Sequence, residues 1–172
     1  SKIKRLIKSE LVKLNLIVKY DDNKSDLNKL VYDLCTRKKI SISVAESCTS
    51  GLIASSLSQI PGSSSSFLGG IICYSDLSKI NLLGICQKLI NEKSSVSEDV
   101  CFEMAKNARN KFNSDYSIAT SGYAGPQGGT TDNPVGTVFI TITSRKGSIT
   151  KKILFSGDRK IILNQVKIKA LE

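Results

Sequence analysis

The chain contains no histidine. That absence rules out a Ser-His-Asp triad, a Cys-His pair and any imidazole metal site within it. An activated hydroxyl or thiol must therefore take lysine, tyrosine or a carboxylate as its base. No apolar run approaches the roughly 18 residues of a membrane-spanning helix. The N-terminal SKIKRLIKSELVKLNLIVKY is interrupted by charge too often for a secretory signal. The five cysteines, Cys35, Cys48, Cys73, Cys86 and Cys101, are odd in number and include no CxxC pair. Their spacing supports neither a zinc site nor a disulfide framework, so a reducing cytoplasmic setting is expected, with most of them acting as small buried hydrophobes. Internal repeats and long low-complexity tracts are also missing.

The net charge is +10 over 172 residues, and its distribution decides what it means. Residues 1–40 carry eleven Lys/Arg against five acids, and residues 145–172 carry eight against two. The centre, residues 41–144, carries six against eight and is slightly acidic. Basicity confined to the two terminal segments reads as solvated lysine faces, so neither a nucleic acid nor a membrane is the expected partner. The length and a hydrophobic content of 40% fit one compact domain with a real core, preceded by a basic helix or arm over residues 1–25.

The informative stretch is residues 40–60, ISISVAESCTSGLIASSLSQI. Its first half alternates like a strand, with Ile40, Ile42 and Val44 to one side. Its second half has helical spacing at Leu52, Ile53, Leu57 and Ile60. Between them, Glu46-Ser47-Cys48-Thr49-Ser50-Gly51 gathers small hydroxyl and thiol groups at a helix start. Two readings compete: a plain helix cap, or a nucleophile beside backbone N–H groups suited to an anion or an oxyanion.

The remaining chain alternates strand and helix. Asp26 is the expected cap of a helix through Leu34. Residues 63–66 read as a flexible hydroxyl-rich loop. Residues 69–74 read as a second strand, buried on both faces as parallel strands tend to be. Ser75 caps a short helix carrying Lys79, Ser97 opens a longer one, and residues 116–121 form a third strand. The run from Gly122 to Thr131 is too rich in glycine for regular structure and reads as a ligand loop; it lacks the GKS or GKT ending of a P-loop. A hairpin over residues 136–155 and a final helix after Asp158 complete a three-layer α/β/α sandwich with a mixed, largely parallel sheet. Tyr74 and Lys79 then lie at the carboxyl end of the sheet, where open α/β sheets bind ligands.

Four motifs in order, AESCTSG, GGIICYSDLSK, SGYAGPQGGTTDNPVGTV and FSGDR, resemble the CinA C-terminal domain family over roughly residues 27–170. Stand-alone members of that family are bacterial nicotinamide mononucleotide amidohydrolases. The resemblance implies hydrolysis of the carboxamide of nicotinamide mononucleotide, a pyridine nucleotide, to nicotinic acid mononucleotide and ammonia. It also implies self-association into a homo-oligomer and no metal or organic cofactor. It assigns Ser47 as nucleophile, with Tyr74 and Lys79 beside it. An ordinary lysine has a pKa near 10.4, so one acting as base at neutral pH needs a downward shift of about 3 units, which burial can supply. Glu46, Cys48, Thr49 and Gly51 surround the nucleophile as substrate contacts. Gly125, Gly128, Gly129, Thr130 and Arg159 are candidates for the substrate's phosphate; Arg159 has an equal alternative as a structural ion pair with Asp158 or Asp132.

The chain departs from the family pattern at three places. Ser50-Gly51 stands where Gly-Gly is usual. Asp76 stands where asparagine is common, and its charge favours a protonated Lys79. Tyr123 is bulky where the family has a non-aromatic residue, and is expected to narrow or cover the pocket. These departures motivate a second reading, a catalytically weak or inactive nucleotide-binding module, and leave a third in which Cys48 is the nucleophile.

Overall fold

The computed structural model describes residues 27–172; the expected arm over residues 1–25 and the Asp26 cap lie outside them. Helix α1, Leu27–Lys38, leads into β1, Ile42–Glu46, which is buried on both faces. Then follow α2, Leu52–Ser58, β2, Phe67–Ile72, α3, Asp76–Leu83, α4, Gln87–Lys93, and α5, Glu98–Phe112. Strands β3, Tyr116–Gly122, β4, Thr137–Ser144, and β5, Gly147–Leu154, precede the final helix α6, Arg159–Leu171.

The five strands form one sheet in the order β2-β1-β3-β4-β5. β1 pairs in parallel with both β2 and β3, while β3–β4 and β4–β5 are antiparallel. The sheet is mixed, as expected, with a parallel half and an antiparallel half. On one face α1, α2 and α6 close a core containing Val44, Ile53, Leu57, Ile118, Ile140, Ile162 and Val166. On the other, α5 packs across all five strands. Its Cys101, Met104, Ala105 and Ala108 lie against Ala45, Ala119 and Phe139. The small residues on both sides let this helix approach the sheet closely, as dense interiors require. The result is an α/β/α sandwich.

Local chemistry explains the helix starts. The Ser75, Ser97 and Asp158 side chains each accept a backbone N–H from three residues on, at Ser78, Val100 and Ile161, satisfying donors that a helix leaves unpaired. Three sequence expectations are corrected. β2 is not buried on both faces: it is the edge strand, and Leu68 and Ile72 are exposed. Ser63–Ser65 is a short 3-10 turn held by hydroxyl-to-carbonyl bonds rather than a loose loop. The α4 helix had no counterpart in the pattern, because seven residues give too little periodicity to register.

Candidate active site

The parallel register sets the last residue of β1, Glu46, opposite Thr120 of β3 and Ile72 of β2. The chain then turns through residues 47–51 into α2. The Ser47 N–H donates to the Thr120 carbonyl at 3.0 Å, which pins the turn to the sheet end. Ser50 has φ 48 and Gly51 φ 97, so the turn needs two successive left-handed residues. Glycine adopts that conformation freely and serine does not, which gives the Ser50 departure a backbone meaning.

Glu46 is fully buried, and its carboxylate accepts the N–H groups of Gly51 at 2.9 Å, Ile53 at 3.2 Å and Ala54 at 2.7 Å. The α2 N-terminus is therefore capped by an internal anion placed on the preceding strand, and its N-cap residue, Gly51, contributes no side chain. This corrects the plain-cap reading of the hydroxyl cluster and narrows the other, leaving the N–H groups of Cys48 and Thr49 as the donors beside Ser47. No hydroxyl caps the helix, and the N–H groups of Gly51, Ile53 and Ala54 are taken by Glu46 while that of Leu52 donates to the Thr49 carbonyl. Nor does the carboxylate of Glu46 reach outward to a substrate. The Cys48 and Thr49 N–H groups, which follow Ser47, donate to no oxygen among the described residues.

Lys79, from the first turns of α3, crosses beneath the turn. Its Nζ lies 3.3 Å from Ser47 Oγ, and both residues are buried, at 2% and 7% exposure. A buried ammonium is costly without a countercharge. The carboxylate within ion-pair range is Asp76, 3.8 Å away and 53% exposed. The charge that distinguishes this chain from the family pattern thus sits on the lysine itself.

Tyr74 lies elsewhere. It is exposed, and its hydroxyl accepts a bond from Arg159 at 3.1 Å; it makes no hydrogen bond to Ser47 or Lys79. Arg159 also donates to the Gly125 carbonyl at 2.8 Å. It forms no ion pair among the described residues, and Asp158 is occupied in capping α6. The guanidinium therefore bridges the glycine-rich loop to the α3 side of the mouth without being neutralised.

Within that loop, Thr130 is used internally: its N–H donates to the Asn133 carbonyl and its hydroxyl accepts the Asn133 N–H. A Cβ on Gly129 would come 2.8 Å from the Val135 nitrogen, and one on Gly125 2.6 Å from the Val135 side chain. These glycines make the loop's own packing possible. Gly128 lies over the Tyr123 ring, which is half-buried against the α5-side core, so Tyr123 packs beneath the loop.

Burial pushes the Cys48 thiol up to about 12, outweighing its hydrogen bonds with its own backbone and Thr120. It is a packed core residue, protonated at neutral pH, and a poor nucleophile. Thr49 is also fully buried, its hydroxyl 2.7 Å from that of Thr120. Thr120 is the organising residue the sequence reading missed. Only the strand register brings it beside the turn, and no local pattern encodes that.

The fold and this geometry define a class: an α/β domain with a buried serine–lysine pair at the carboxyl end of its parallel strands. The comparisons narrow it. The CinA C-terminal domain model matches residues 24–172. A CinA-like protein of Prochlorococcus marinus subsp. pastoris is 44% identical over 170 residues, covering 98% of this chain and 37% of its own length. One from Fervidobacterium nodosum is 40% identical over 147 residues, covering 86% and 36%. The chain thus spans little more than a third of the curated relatives it matches. The crystal structure of the competence damage-inducible protein A from Klebsiella pneumoniae superposes with a TM-score of 0.84 at 31% identity, covering 87% of this chain and 92% of that one. A CinA-superfamily protein from Escherichia coli gives 0.80 at 31%, covering 90% and 91%. The chain belongs to the CinA family.

Proposed function

We propose that the domain hydrolyses the carboxamide of nicotinamide mononucleotide, with Ser47 as nucleophile and Lys79 as its base. The observation that carries this reading is the 3.3 Å approach of Lys79 Nζ to Ser47 Oγ in a buried setting, in a chain with no histidine to serve instead. Ser-Lys pairs are an established variant of triad chemistry.

In the amine form, Lys79 takes the Ser47 proton as Oγ bonds to the carboxamide carbon. The resulting oxyanion is received by the Cys48 and Thr49 N–H groups, fixed donors in a site largely closed to water. The lysine then returns its proton to the amide nitrogen, the C–N bond breaks and ammonia leaves. Water adds to the acyl-serine, passing a proton to Lys79, and the ester bond breaks as Ser47 recovers that proton. Arg159 is the group for the phosphate, being a bidentate-capable cation with no carboxylate partner among the described residues. Tyr74 acts through Arg159, holding its orientation. A pyridine nucleotide as substrate, together with five free thiols, goes with a cytoplasmic protein.

The Asp76 contact favours a second reading, a nucleotide-binding module with little turnover, because it stabilises the ammonium form of Lys79. Ammonia release from nicotinamide mononucleotide separates the two. Ser47→Ala is expected to abolish release, and Lys79→Met to reduce it by about a thousand-fold, in the range of lost general-base catalysis. Wild-type release no greater than that of Ser47→Ala, with calorimetric binding of the nucleotide retained, would leave the binding module as the correct reading.

A further inference from the structure

The candidate site lies at the carboxyl end of the parallel strands, and the opposite end of the sheet gathers cations that are far apart in sequence. Arg37 and Lys39 stand between α1 and β1, and Arg109 and Lys111 in the last turn of α5 before β3. Arg145 and Lys146 form the turn from β4 to β5. Because β1, β3 and β4 are neighbours, these turns lie side by side, about 4.8 Å from strand to strand. The basicity of the two terminal segments is thus joined by Arg109 and Lys111, which come from the slightly acidic centre of the sequence.

Two features separate this surface from a merely solvated face. Its guanidinium groups are held by neutral oxygens: Arg37 donates to the Asp33 carbonyl at 3.1 Å, Arg109 to the Asn110 side chain at 2.9 Å and Arg145 to that of Asn113 at 3.5 Å. Each fork is oriented yet keeps its charge, and none of the six cations is in an ion pair among the described residues. Lys39 follows α1 in the left-handed conformation, φ 52, where α3 has Gly84 and α5 has Asn113. A lysine is strained in that backbone, and its charge is what it adds there. The poles of α1 and α5 offset about half a charge each. Asp115, whose carboxylate accepts the Ser41 N–H and hydroxyl, offsets one more, so about four positive charges remain in surplus.

We propose that this end of the domain binds a single strand of nucleic acid through its phosphates. Guanidinium forks match phosphate oxygens, and cations on adjacent strands suit a chain that carries one charge per nucleotide. Tyr116, the first residue of β3, is 38% exposed in the same row, opposite Ile42 and Ser144. An aromatic face beside cations is the arrangement on which unpaired bases stack, and it selects a single strand over a duplex. A bilayer finds little here to take up, since Ile40 packs against the core and Phe112 against Gly69.

This surface stands apart from Ser47 and Lys79, and strand binding does not depend on the amidase reading. The test is fluorescence anisotropy of labelled oligothymidylate and oligouridylate with the full chain across a salt series. Neutralising about four phosphates, at a log–log slope near −0.7 each, is expected to weaken binding about fifty-fold between about 50 and 200 mM salt. Arg109→Gln and Arg145→Gln are each expected to make that slope shallower by about 0.7. Tyr116→Leu is expected to weaken binding about five-fold or more at every salt concentration, with the slope unchanged. Lys93→Gln, an exposed cation at the end of α4, is expected to bind as the wild type does, and circular dichroism checks that each variant folds. DNA and RNA strands are expected to bind alike, since phosphates and base faces are common to both. Absence of binding at the lowest salt would overturn the proposal, as would a slope that Arg109→Gln and Arg145→Gln leave unchanged. So would tighter binding to duplex DNA, to phosphatidylserine vesicles or to polyglutamate than to either oligonucleotide.

Discussion

Replacing Glu46 with glutamine tests the organisation of the nucleophile turn with almost no change in side-chain volume. One carboxylate oxygen accepts the Gly51 and Ile53 N–H groups and the other accepts that of Ala54. An amide keeps only one acceptor. In either orientation its NH2 faces a backbone donor, so at least one buried N–H is left unpaired and the remaining bonds lose their charge assistance. A charge-assisted bond contributes about 1.5–3 kcal/mol and an unpaired buried donor costs about 1–3 kcal/mol, so the expected loss is about 3 kcal/mol. In a domain of this size that lowers Tm by about 6–12 °C. Urea denaturation followed by circular dichroism gives the free energy, and a thermal scan gives Tm. Because Ser47 rides on the same turn, kcat for ammonia release should fall with KM little changed. A Tm within about 2 °C of the wild type would refute the internal cap, since no other described group accepts these three donors.

Asp76→Asn removes a half-exposed carboxylate 3.8 Å from Lys79. An attraction of about 1 kcal/mol is then lost, and kcat/KM at neutral pH should rise about five-fold; a fall would show that the carboxylate positions the lysine instead. Ser50→Gly relieves a left-handed serine and should stabilise the domain by about 0.5–1 kcal/mol, measured by urea midpoint. Alkali should destabilise the fold through Cys48 and Cys101, both raised by burial to about 12. Between the unfolded thiol value near 9 and that folded value, the unfolded chain has lost protons that the native chain keeps. Stability is therefore intact below pH 9 and falls by about 1.4 kcal/mol per pH unit per thiol above it. Cys101→Ala should flatten the slope of stability against pH, and an unchanged slope would assign the loss to other groups.

The parts of the fold that short-range chemistry dictates were readable in the sequence. Ser75, Ser97 and Asp158 announce helix starts because a capping side chain acts within three residues, and the β4–β5 hairpin follows from alternation around a tight turn. Long-range pairing was not readable. The run GGIICY has the same apolar content at a sheet's edge as at its centre, so its exposure depended on which strand lay beyond it, and none does among the described residues. The 32-residue separation of Ser47 and Lys79 carries no periodic signal, and the family resemblance supplied that pair. Glu46 was named for its place beside the nucleophile. Its actual partners lie five to eight residues ahead on the helix it caps, which no strand pattern discloses. The family resemblance set Tyr74 beside Ser47 and Lys79, at the same end of the sheet, whereas its side chain turns outward to a helix 85 residues away.

The internal anion at the start of α2 has a wider consequence for how such a domain can diversify. With that helix pole already neutralised, the proposed function leaves attraction for a negatively charged metabolite to the far end of the chain, at α6. On the proposed function, recognition and bond cleavage fall to different segments, Arg159 at the start of α6 and Ser47 on the turn before α2. On that reading, replacing Arg159 would change which anion is accepted and leave the three bonds from Glu46 that hold the nucleophile turn in place.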